Sequence, residues 1–269
     1  MIIDFHTHIF PDHMAQKTIA MLAEKGGIPA FSDGSVAGLL SQMEQAGIDV
    51  SVTLPVLTKP TQFESVNRYA AEINDRFSTV GRRLISFGGI HPACENIDAK
   101  MKWLREQGFL GVKIHPEYQD TFIHDASYVR ILECAWEYDL IVVAHAGSDV
   151  AYPDRPLRCP PHLAKELIRK VPHAKLVLAH MGGNECPHEV IEYLSGENVW
   201  FDTSYALMHM DRESFLKIVS AHGAERILFG SDSPWSDMKQ SVERLRAFTQ
   251  DKTTEERILG RNAGTLLGI

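Results

Sequence analysis

Eight short apolar runs rich in strand-forming residues, each followed by a segment of helical periodicity, constrain this chain more than any other feature. The runs are Ile2 to Ile9, Val50 to Val56, Leu84 to His91, Gly111 to His115, Ile141 to Ala146, Leu176 to Met181, Val199 to Ser204 and Ile227 to Ser231. They are near-continuously hydrophobic rather than alternating, which suits parallel strands covered on both faces. Helical segments fill the gaps at Val36 to Ala46, Phe63 to Phe77, Ile97 to Gln107, Ala126 to Tyr138, Pro161 to Lys170, Glu189 to Leu194 and Arg212 to Ala221, and Met238 to Phe248 follows the last run. In the first, Val36, Leu39, Leu40 and Met43 form an i, i+3, i+4, i+7 stripe, and Gly47 stands where a helix C′ residue belongs. The alternation predicts an α/β fold, a single-domain (β/α)₈ TIM barrel over residues 1–269. An open doubly wound sheet is the alternative, but no GxGxxG follows the first run.

Two segments stand outside the repeat. Pro11 to Gly34 reads as a long first connection, of the kind that builds an active site on the C-terminal side of barrel strands. The stretch after Thr253, with Thr253 and Glu256 at capping-box spacing, reads as a closing helix. Net charge of −8 offers no global attraction to nucleic acid or to an anionic membrane. Cys94, Cys134, Cys159 and Cys186 are scattered and read as free thiols. No basic n-region or long apolar window is present, so a cytoplasmic protein acting on a small molecule is expected, and a homo-oligomer is compatible with that.

In a barrel the strand C-termini converge on one end, and chemistry-bearing residues belong there. His6 and His8 are two apart on the first strand, so both imidazoles face one way, with Asp4 expected below them. A lone HxH arises by chance in many proteins, and context has to raise it. The context is His91 on the third run, Lys113 and His115 on the fourth, His145 on the fifth, His180 on the sixth and Asp232 on the eighth. Six of the thirteen histidines therefore fall at strand ends, where about one or two are expected by chance from the share of chain those ends occupy. Imidazole and carboxylate suit Zn2+, with Mn2+ as the alternative. His6, His8, His145 and Asp232 are the first choice of ligands. His180 is the next candidate, as a general acid or base near the metal or as a ligand to a second ion, and Asp232 also takes a proton from bound water. Lys113, His115, Glu117, His91 and Arg155 are candidates for a second metal or for substrate; Lys113 would bind a carboxylate or, if carbamylated, bridge two ions. The remaining histidines, His222 among them, are expected at the surface.

DFHTHIFP, GVKIHP, VVAHAG, VLAHMGG, FGSDSPW and the ending ILGRNAGTLLGI together resemble the amidohydrolase superfamily, in the branch that includes aminocarboxymuconate-semialdehyde decarboxylase. The resemblance spans the chain in order and implies a metal-bearing barrel. It implies that His6, His8, His145 and Asp232 are ligands and that His180 is catalytic next to a single zinc. A more distant similarity, HxH with GIHP, is to TatD-like nucleases, whose strand-four acidic motif is missing unless Glu117 replaces it. The leading expectation is a metal-dependent hydrolase of an amide, lactone or ester. The alternative is a non-oxidative decarboxylase of an unsaturated or aromatic acid, with a nuclease or a non-catalytic binding barrel behind both.

Overall fold

The computed structural model describes residues 1–77, 84–249 and 251–269. Parallel strands run in chain order around a barrel: Ile3–Thr7, Val50–Thr53, Leu84–Ser86 continued by Gly88–Gly89, Gly111–Ile114, Ile141–Ala144, Lys175–Leu178, Trp200–Asp202 and Ile227–Leu228. Each is shorter than its apolar run, because the residues past the ladder bend away to form the mouth. The third strand is interrupted at Phe87, whose N–H still reaches the Thr53 carbonyl at 2.9 Å. The ring closes where the Phe5 N–H donates to the Phe229 carbonyl at 2.8 Å and the His8 N–H to the Ser233 carbonyl at 2.7 Å. Among the described residues no strand edge is left to pair with another chain.

Alternation along the strands divides the core into two layers. Val112, Ile114, Val142, Ala144, Leu176 and Leu178 point outward and pack with Leu39, Leu132, Leu167, Ile218 and Leu245 of the helices. Ile3, Phe5, Val52, Phe87, Val143, Val177 and Leu228 fill the interior, with Ala263 and Leu267 of the last helix joining them. Phe5 and Phe87 meet edge to face at 5.8 Å, a contact worth about 0.5–1.5 kcal/mol beyond the area it buries. Lys113 takes an inward position two residues after Gly111, which is how a lysine comes to be 1% exposed in the barrel.

The helices begin where the sequence supplies a cap. The Ser35 hydroxyl accepts the Gly38 N–H at 2.9 Å ahead of Val36–Ala46, and Gly47 ends that helix at φ 69°. Asp125, Asp211 and Asp237 cap Ala126–Glu137, Arg212–His222 and Met238–Phe248. Three expectations are corrected. The long first connection contains a helix of its own, Ala15–Gly26. The closing segment is capped by Asp251, which accepts the Thr254 N–H, instead of by Thr253. The segment around Glu189 winds as Pro187–Glu189 followed by a wider π turn, Val190–Leu194. No described helix is long and apolar enough to cross a membrane.

Candidate active site

The strand ends open into a cavity of about 990 Å³. His6 enters it through an irregularity: the register with the second strand shifts between Asp4 and Thr7, so Phe5 and His6 both turn inward, one into the core and one into the mouth. Asp4 therefore does not lie beneath the imidazoles as the simple period predicted. Its Oδ1 instead accepts the backbone N–H groups of His6 (3.1 Å) and Ser231 (2.9 Å), and burial lifts the carboxyl to about 7. Gly230 makes room for His6: a Cβ there would stand 2.9 Å from the His6 Cβ.

His6, His8 and Asp232 bring one donor atom each within 4.8 Å of one another. The Nδ1–H of His6 donates to Asp202 at 2.8 Å and that of His8 to the Leu54 carbonyl at 2.8 Å. Both bare Nε2 atoms consequently face Asp232 Oδ1, at 3.4 and 3.2 Å. Three lone-pair donors meeting without a hydrogen between them fit a divalent cation, and the partners on the far side of each ring are those that orient metal-binding imidazoles. Burial, with Lys113 adding to it, holds His6 well below the usual imidazole range. Asp232 is held below the usual carboxylate range although burial alone would raise it, because its charge is favoured by any proton carried on the imidazoles of His6, His8 and His180. Lys113 Nζ lies 3.2 Å from His6 Nε2, and burial draws this amine down to about 8.

His145 stands beside this group. Its Nδ1 is 2.9 Å from His180 Nε2, and its Nε2 is 3.2 Å from the Ser148 carbonyl. Burial keeps both rings neutral, at about 3 for His145 and about 4 for His180. His115, His145 and Asp149 form a second group within 4.8 Å. Here the two rings stack at 4.2 Å and 12°, so their lone pairs run side by side instead of converging, and His115 Nε2 already faces Asp149 at 3.4 Å. This arrangement suits contact with a substrate better than a shared ion.

Other candidates are occupied elsewhere. His91 Nδ1 accepts the Ala93 N–H at 3.1 Å, and Glu117 accepts the Arg158 N–H at 2.5 Å; both serve the backbone of their loops. Arg155 is exposed and lies over the Tyr152 ring at 4.4 Å. None of the three lines the cavity. His222, expected at the surface, is 2% exposed and stacks on Phe201 at 3.9 Å. The sequence reading missed Asp202, Ser204 and Asp149. Asp202 lies within the seventh run, Val199 to Ser204, and ends the strand Trp200–Asp202, so the strand-end rule that singled out the histidines, applied to carboxylates, finds it. Asp149 lies five residues past its strand, where no periodicity marks it.

The sequence matches the amidohydrolase family over residues 3–269. The chain belongs to the amidohydrolase family. None of the curated proteins compared matches it. Its barrel is similar to that of a 2,6-dihydroxybenzoate decarboxylase complexed with 2,6-dihydroxybenzoate (TM-score 0.75, 16% identity, 100% of this chain and 99% of the other). It is similar also to a dihydroxybenzoic acid decarboxylase from Polaromonas with bound manganese and the inhibitor 2-nitroresorcinol (TM-score 0.74, 15% identity, 99% and 96%). A third similar structure is a putative 2-pyrone-4,6-dicarboxylic acid hydrolase from Pseudomonas putida (TM-score 0.67, 19% identity, 99% and 97%). At such identities the likeness is one of fold. This amidohydrolase is a metal-dependent enzyme of small-molecule chemistry, and the non-catalytic reading is set aside.

Proposed function

We propose that this amidohydrolase is a non-oxidative decarboxylase of an aromatic or unsaturated monocarboxylic acid, a reading that displaces hydrolysis from first place. The observation that carries it is the charge pattern of the cavity. Lys113 is the buried cation among its described lining residues, while Arg68 and Arg76 lie exposed on Phe63–Arg76. Around the donor group the walls are largely apolar and aromatic, with Ile9, Phe10, Leu54, Val56, Tyr205 and Trp235. Such a pocket matches a flat acid with one carboxylate and offers no second buried cation for a dicarboxylate. That the fold resembles several decarboxylases supports the same reading.

In this reading His6, His8 and Asp232 hold the divalent ion, Zn2+ or Mn2+, with His145 turning in as a further ligand. When bound, the ion supplies Lewis-acid polarisation of the substrate's oxygens. The carbon bearing the carboxylate takes a proton; the bond to the carboxyl carbon then breaks, its electron pair returns to the ring and carbon dioxide leaves. Lys113, at about 8, carries a proton at neutral pH within the cavity wall, and neutral His180 takes one up. Asp232 stays a carboxylate and holds charge opposite both. The net charge of −8 supports a small-molecule substrate over a nucleic acid, and the cytoplasm is kept as the place of action.

The test is direct. Protein loaded with Mn2+ or Zn2+ is incubated with hydroxybenzoates and, separately, with lactones and amides of similar size. Carbon dioxide release with one phenol formed per acid consumed is the expected result. Ring opening of a lactone with no gas from any acid would return the enzyme to the hydrolases.

A further inference from the structure

Asp202 and Ser204 stand two residues apart at the end of the seventh strand, and both are 0% exposed. Neither lines the cavity. Both contact His6 and His180, whose ring centres are 5.4 Å apart. We propose that Asp202 and Ser204 are positioning residues that lock His6 and His180 together with hydrogen on Nδ1, which leaves the Nε2 of His6 bare towards Asp232 and the Nε2 of His180 bare towards His145 Nδ1. The inference rests on the reading of His6 as a metal-holding residue and of His180 as a proton-moving one.

Counting hydrogens leads there. Asp202 Oδ2 accepts from His6 Nδ1 at 2.8 Å. Its Oδ1 accepts the backbone N–H groups of His180 (3.1 Å) and Ser204 (3.0 Å) and the Ser204 hydroxyl. With its hydrogen given to Asp202, Ser204 Oγ has only lone pairs to offer, and it lies 3.0 Å from Nδ1 of both His6 and His180. The Ser204 carbonyl, 2.9 Å from His180 Nδ1, is also an acceptor. Every polar neighbour of the two Nδ1 atoms is thus an acceptor, and each Nδ1 carries the hydrogen.

The same bonds fix the backbone. His180 (φ 59°) and Tyr205 (φ 54°) sit in the left-handed region at the turns after the sixth and seventh strands. Asp202 holds the N–H groups of His180 and Ser204 in those turns. A single buried carboxylate therefore ties the first strand to both turns and sets the spacing between His6 and His180. A carboxylate this deep persists because its oxygens are fully used.

The first measurement is the imidazole ¹⁵N spectrum of the metal-free wild-type chain, which reads each tautomer without any variant. Nδ1–H forms of His6 and His180 are expected, and hydrogen on Nε2 of either would overturn the proposal. The second is zinc affinity by chelator competition in Asp202→Asn, expected to fall about 10- to 100-fold with His6 losing its single tautomer; affinity equal to the parent's would overturn it. In Ser204→Ala, which keeps both the carbonyl and Asp202, zinc affinity stays near the parent's while the His180 ring signals shift and broaden. Should Asp202→Asn fail to fold, the wild-type spectrum decides. Correct tautomers and weakened zinc binding, in an enzyme that decarboxylates nothing, would remove the proposed reaction and leave this positioning role standing.

Discussion

Asp232 shows how much one side chain is asked to do: it faces two bare imidazole nitrogens, stays ionised beside them and belongs to the donor group. Asp232→Asn removes that charge without changing shape. Turnover is expected to fall on the order of 10²–10⁴-fold, the range of a lost proton-transfer partner, with some metal retained; full activity would take Asp232 out of the mechanism. Lys113 is a different case. Burial draws the Lys113 amine down to about 8 in spite of the carboxylates around it, so Lys113→Met is expected to leave the chain no less stable while turnover is lost. Urea unfolding alongside the carbon dioxide assay checks both halves. Both residues were legible in the sequence as strand-end positions, and so was the pair of histidines. The bulge that separates Asp4 from them was not, because a one-residue irregularity leaves no mark on a five-residue strand.

Among the elements, the loops after the strands decide the shape of the mouth. Helix Ala15–Gly26 leans on two of them, with Lys25 Nζ 3.7 Å from the Tyr152 ring centre and 4.8 Å from that of Tyr118. At an exposed position each such contact contributes about 0.5–1 kcal/mol. Lys25→Ala is therefore expected to speed hydrogen exchange across residues 15–26 and to raise KM more than it lowers kcat. Gly147 is less forgiving. It has φ 81°, and a Cβ there would come within 2.1 Å of the Asn184 backbone nitrogen. The left-handed φ alone costs about 1–2 kcal/mol for an L-residue, and the backbone contact adds to it. Gly147→Ala should lower Tm and displace Ser148 and Asp149, seen as a loss of substrate affinity larger than the loss of metal affinity. The helix end set by Gly47 was readable beforehand, while the Ser35 cap was shown by the structure. The helix in the first connection was hidden by the glycines and proline that flank it.

For the whole molecule, buried neutral histidines link stability to pH. In the metal-free fold His145 and His180 titrate at about 3 and about 4, against 6.5 when unfolded. Below pH 6.5 the unfolded chain binds protons that the folded chain refuses. Their contribution is whole above that pH and is lost as pH falls toward about 3, at up to about 1.4 kcal/mol per pH unit for each ring. Asp4, lifted by burial to about 7, opposes the two rings with a single proton, so urea midpoints of metal-free protein at pH 7, 6 and 5 should still fall in order, by less than the two rings alone would give. A midpoint that stays level would mean that the rings are not buried neutral. Metal opposes the trend, since an ion at 100 times its Kd stabilises the fold by about 2.7 kcal/mol, and chelator should lower Tm accordingly.

The order of strands and helices, the inward period of Lys113 and His115, and the gathering of histidines at one end were determined by the sequence itself, because periodicity and strand-end position are local properties. Which of those residues meet was decided by the tertiary structure. His91 and Glu117 stand at strand ends as His145 does, yet a backbone N–H claims each of them. Asp202 and Ser204, 196 and 198 residues from His6, reach its Nδ1 only because the barrel closes and brings the first and seventh strands to one mouth. Hydrogen-bond partners, tautomers and shifted acidities are set by neighbours in space, and a closed barrel draws those neighbours from the whole length of the chain.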